Sequence, residues 1–178
     1  MRYLIIFFLF ICTYQLGLAQ DFKDLDESPM DVSVIRNTDN SPLARIIYSR
    51  PRKKDREIFG ALVPFNQVWR TGANEATEIT FYEELYINGI CLDPGTYSLY
   101  TIPGPKIWTV IFNEAQNAWG AFNYNEKLDA LRIKVPAQRA ASIIEIFSIA
   151  FQPAQNGANL FIGWDDTFIK VPFKKSLD

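Results

Sequence analysis

"TEITFYEELYINGICLDPGTYSLYTIPGPKIWTVIF", residues 77–112, decides the fold. Its first five residues alternate. Ile79 and Phe81 fall on one side of an extended chain, with Glu78 and Thr80 on the other. Asn88-Gly89 divides "LYINGI". Both residues tolerate positive φ, and such a pair between apolar residues is the strongest short signal for a hairpin. Pro94-Gly95 opens the next run, "TYSLYTI"; "IPGPK" turns the chain and "IWTVIF" brings it back.

The pattern continues on both sides. "ARIIYS" precedes it. "LRIKV" sets Leu131, Ile133 and Val135 inward and Arg132 and Lys134 outward. "IIEIFSIAF", "ANLFIGW" and "TFIKVPF" follow at similar spacing, with Asn156-Gly157 as a further turn. About nine short strands separated by turns predict an all-β protein, an antiparallel β-sandwich of jelly-roll-like or Ig-like type. One stretch departs from period two. In "KDREIFGALVPFNQVW", residues 54–69, the placement of Ile58, Phe59, Leu62 and Val63 allows a helical turn or two before Pro64.

The organisation expected is a leader over residues 1–19, a linker with an edge strand at residues 30–36 over 20–42, and a single sandwich domain over 43–174. The leader has Arg2, an apolar run from Leu4 to Cys12 and small residues at Gly17 and Ala19, the anatomy of a secretory signal peptide. The run is shorter than the roughly 20 residues a spanning helix needs, so no stable transmembrane segment is expected after cleavage. The protein is expected to be exported, periplasmic or extracellular. Cys91 is then the one remaining cysteine, which rules out an intramolecular disulfide. Its apolar neighbours suggest a buried, inert thiol.

The 178-residue chain has a net charge of −2 and a pI near 5.3, which argues against a nucleic-acid partner. It contains no histidine. Ser-His-Asp and Cys-His catalysis are therefore excluded, and so is a histidine- or cysteine-rich zinc site. No cofactor or metal is expected. Asp165-Asp166 lacks the spaced oxygen ligands of a calcium loop and reads as a turn.

Three polar clusters stand out. "VWRTGANEAT", residues 68–77, is the densest: Trp69, Arg70, Thr71, Asn74, Glu75 and Thr77 form either a ligand-binding loop floored by Trp69 or an elaborate turn around Gly72. "SRPRKKDR", residues 49–56, is an anion site or a solvated loop, and it lacks the glycines of a phosphate-cradling loop. "NAWGAFNY", residues 117–124, offers Trp119 and amides of the kind that receive sugar rings, or aromatics at the edge of the core.

Taken in order, "SPLARIIYSRPRKKDREIFGALVPFNQVWRTGANEATEITF", "LDPGTYSLYTIPG", "WTVIFN" and "WGAFNY" resemble the bacterial domain of unknown function 2911, over about residues 41–173. The resemblance implies a secreted or envelope protein of Gram-negative bacteria and brings no activity with it. Its signature polar positions fall on Arg50, Pro51, Arg56, Trp69, Arg70, Thr71, Gly72, Asn74, Glu75 and Thr77. The chain departs from the pattern at turn positions: Lys54-Asp55 for a Lys-Gly pair, Asn66 for Gly, and "LDPG" for Leu-Pro-Ala-Gly.

The leading reading is a non-catalytic binding module for a glycan or small polar or anionic ligand. Its binding residues would be Arg50, Trp69, Arg70, Thr71, Asn74, Glu75, Thr77 and Trp119. Two alternatives stand beside it. One is a carboxylate hydrolase pairing Glu75 with Glu78, Glu114 or Asp129. The other is a structural domain whose polar motif is a buried Arg-Glu network.

Overall fold

The structure, a computed structural model, describes residues 22–177; the expected leader lies outside them. Nine strands run in chain order: β1 Met30–Arg36, β2 Pro42–Ser49, β3 Thr77–Phe81, β4 Leu85–Ile87, β5 Ile90–Leu92, β6 Gly95–Ile102, β7 Ile107–Asn113, β8 Asp129–Ala154 and β9 Gly157–Lys174. All pairings are antiparallel, and the order across the sheet is β1-β2-β3-β6-β7-β8-β9-β4-β5. The protein is all-β. Among the described residues the sole helical turn is a 3-10 turn at Glu126–Leu128.

β8 makes a sandwich of this sheet. Ile107 to Asn113 of β7 pair with β8 residues 129–136, and β8 residues from Ala137 onward pair with β9. The strand thus leaves one leaf and enters the other, and the leaves close on a shared core. Ile46, Ile79, Leu99 and Val110 face Phe147, Leu160, Ile162 and Val171 in one buried cluster. Phe81 and Phe173 meet edge to face at 5.3 Å, and the Tyr48 hydroxyl donates to Ile149 O at 3.0 Å.

The Asn88-Gly89 turn forms as expected, with φ of 51° and 79° between β4 and β5. Other expectations are corrected. "LRIKV" and "IIEIFSIAF" are one strand, and so are "ANLFIGW" and "TFIKVPF". Asp165 and Asp166 therefore lie within β9 rather than in a turn, and Asp165, at φ 57°, marks a kink in it. Residues 54–69 form turns and isolated bridges, not a helix, because Val63 closes back on Phe59 and Gly60. Cys91 is exposed, since the short β5 is an edge with one inward residue, Leu92.

Candidate functional site

A bulge in β8 places the basic run. Glu145, Ile146 and Phe147 stand opposite the single Trp164 in the β8–β9 register. Their backbone turns instead to residues 51–53: Lys53 N–H donates to Glu145 O at 2.7 Å, Phe147 N–H donates to Pro51 O at 2.9 Å, and Arg52 bridges to Ile146. The run then folds on itself. Arg56 Nε donates to Lys53 O at 3.0 Å, and Lys53 Nζ donates to Arg56 O at 2.6 Å.

The Trp69 loop docks beside it. Trp69 and Thr101 exchange backbone bonds of 2.7 and 3.0 Å. Thr77 Oγ1 donates to Thr71 O at 2.6 Å, and the Thr71 and Thr101 hydroxyls share a 3.0 Å bond; all three threonines are buried. These bonds hold Thr71 at φ 56°. A β-branched residue there is strained, at a cost of about 1–3 kcal/mol. Gly72 has φ 156°, and a Cβ on it would stand 3.1 Å from Ser49 O. The Trp69 indole Nε1 donates to Gly72 O at 3.1 Å. Its ring stacks on Trp164, 6.1 Å between centroids and 15° between planes, and meets the edges of Phe59, Trp108 and Phe147.

Between the two segments lies a cleft of about 360 Å³. Trp69 and Trp164 form part of its wall, with Gly72, Ala73 and Asn74. Four cations line it, Arg52, Lys54, Arg56 and Arg70, against one carboxylate, Glu27. Arg70 is half-buried and its Nε is shut off from solvent with no hydrogen-bond partner. Its guanidinium forms no ion pair with any described residue. Burial lowers its pKa from the usual arginine value. The chain's own acids reach the rim: Asn74 Nδ2 donates to Asp26 Oδ1 at 3.1 Å, and Lys54 Nζ lies 3.5 Å from Glu27. The Ser28 N–H, and after it the Asn74 amide, hold the Asp26 carboxyl below the usual range.

The eight residues expected from sequence separate in the structure. Trp69, Arg70 and Asn74 line the cleft. Thr71 and Thr77 brace the loop from within. Arg50 is occupied by the fold: Nη1 meets Asp31 at 2.7 Å, Nη2 donates to Ser148 Oγ at 2.9 Å and Nε to Phe147 O at 3.2 Å. Glu75 is exposed and unpaired with Arg70; it lines a second cleft of about 220 Å³ together with Glu78. Trp119, 63% exposed, sits across a backbone bridge from Glu75 and does not line the cationic cleft.

Of the other carboxylates, Glu78 accepts from Asn117 N–H at 2.6 Å, and Asp129 is bound on several sides by Asn113, Tyr124 and Arg132. Among the described residues, Glu84, Cys91 and Asp93 are the one group of three potential metal ligands, all exposed.

From the basic run the sequence points to Arg50 as the partner of the Trp69 loop, whereas the residues that line the cleft are Arg52, Lys54 and Arg56; Trp164 and Glu27 carry no sequence signal for the site. The meeting of run and loop depends on the β8 bulge, which leaves no local signature.

The fold and cleft together define an antiparallel β-sandwich with a cation-lined pocket. The chain belongs to the family described as "Protein of unknown function (DUF2911)", whose profile matches residues 28–173, from just before β1 into β9. No curated protein and no solved structure matches it.

Proposed function

We propose that the protein is a non-catalytic binding module that holds a glycan or another small polar or anionic ligand in the Arg70 cleft. The leader read in the sequence adds export to the periplasm or beyond. One observation carries the reading: Arg70 is partly buried with no counter-charge. Burying an unpaired charge costs free energy, so such a group persists where a partner arrives from outside.

The test is thermal unfolding of wild type and Arg70→Ala across a panel of glycans and anions. Wild type gains stability from its ligand, about 2.7 kcal/mol at a hundredfold excess over Kd. Arg70→Ala loses that gain yet, without ligand, melts at or above wild type, because no internal ion pair is broken. If Arg70→Ala binds as wild type does, the reading is wrong.

The carboxylate-hydrolase reading retains one support, the shared cleft of Glu75 and Glu78. It requires turnover of chromogenic glycosides by wild type that is abolished in both Glu75→Gln and Glu78→Gln. A wild type without turnover ends it.

A further inference from the structure

The cleft has too many donors. Arg52, Lys54, Arg56 and Arg70 can only donate. The backbone adds more. Gly72, Ala73 and Asn74 line the cleft, and none of their N–H groups donates to any described residue. Gly72 and Ala73 are buried. A buried backbone N–H without an acceptor is rare, and a row of them beside an unpartnered guanidinium calls for an external acceptor. The loop's strain points the same way, since Thr71 and Asn74, at φ 56° and 57°, fix this turn rather than a relaxed one.

The chain's own contacts show what the rim accepts. The side chains reaching it from residues 26 and 27 are both carboxylates, one on the Asn74 amide and one beside Lys54. Both are exposed contacts, weak enough to be exchanged.

We propose that the Arg70 cleft is an oxyanion site, in which a carboxylate or phosphate of the ligand is received by the Arg70 guanidinium and the N–H groups of Gly72, Ala73 and Asn74, displacing Asp26 and Glu27 from the rim. This rests on the cleft reading and adds the ligand's chemical class and its internal competitor. An oxyanion only accepts, so it matches this donor set. A neutral sugar brings hydroxyl protons of its own, and the cleft offers few acceptors for them.

The experiment is amide NMR of the mature chain titrated with glucuronate, inorganic phosphate and glucose. Glucuronate or phosphate is expected to move the amides of residues 72–74, and glucose at equal concentration is not. Response to phosphate alone identifies a phosphorylated ligand, and response to glucuronate alone an acidic sugar. Arg70→Ala weakens the response about tenfold or more. The double variant Asp26→Asn, Glu27→Gln binds the same anion several-fold more tightly. An unchanged affinity in that variant overturns the displacement. Glucose acting as well as glucuronate overturns the oxyanion class but leaves the cleft reading standing, and silence from both anions overturns the class as well. A ligand whose affinity Arg70→Ala leaves untouched overturns the cleft reading itself.

Discussion

Trp69 and Arg70 are chain neighbours with opposite duties. Trp69 serves the fold through its stack on Trp164 and its bond to Gly72 O. Replacing it with Ala should cost about 3–5 kcal/mol, as for other large aromatic truncations. Trp69→Phe should cost about 1 kcal/mol for the lost indole bond. Urea denaturation checks both, and a loss under about 1 kcal/mol for Trp69→Ala would contradict the role given to it. The sequence marked this cluster as unusual but could not apportion it. Thr71 and Thr77 look like ligand groups in one dimension, and only the packed loop turns their hydroxyls inward. Asn66 shows what was legible: the resemblance implies a turn position that favours Gly there, and the residue adopts φ 61°, which Asn tolerates.

Strands were legible wherever the alternation had a wet side. β3 and the first part of β8 read directly from their inward and outward residues, while β7, buried from Val110 to Asn113, read from its apolar run after the "IPGPK" turn. The length of β8 did not, because "AQRAAS" interrupts the apolar pattern while the chain stays extended; residues 140–143 bulge out opposite the single Asp166. The excursion from β7 to β8, which carries Trp119, is fastened by a carboxylate. Asp129, with a side chain 5% exposed, accepts from Asn113 at 2.7 Å, Tyr124 at 2.6 Å and Arg132 at 3.1 Å. Asp129→Ala removes the acceptor of the Tyr124 hydroxyl and one of the two acceptors of the Asn113 amide, which keeps Asn125 O at 2.9 Å, at about 1–3 kcal/mol in all. Hydrogen exchange should then rise across residues 114–128 ahead of the rest of the molecule. Uniform exchange would show that Asp129 does not fasten this element.

At the scale of the whole molecule, four tyrosines set a limit on alkaline stability. Tyr48, Tyr97, Tyr100 and Tyr124 all have pKa values raised above the unfolded value of 10.0, with burial the largest cause at each. At Tyr124 the adjoining Asp129 carboxylate adds to it. The folded state therefore keeps these phenols protonated where the unfolded chain releases them. The stability they contribute is complete below pH 10 and is lost progressively above it. The urea midpoint should show no loss from these groups up to about pH 10 and fall beyond it. A midpoint that holds at pH 11 or above would contradict this.

The cleft also sets an order of events in time. Its walls come from Glu27 and Ser28, from residues within 51–56, 62–63 and 69–74, and from Trp164, and the bond from Tyr48 to Ile149 spans 101 residues. Contacts so distant along the chain form late, after the entropy of closing long loops has been overcome. A growing chain that has not yet delivered Trp164 has its cations but no pocket to hold them in. On the proposed reading, an anion would be captured only after Trp164 has joined residues 51–56 and 69–74, and a chain cut before Trp164 would not compete for it.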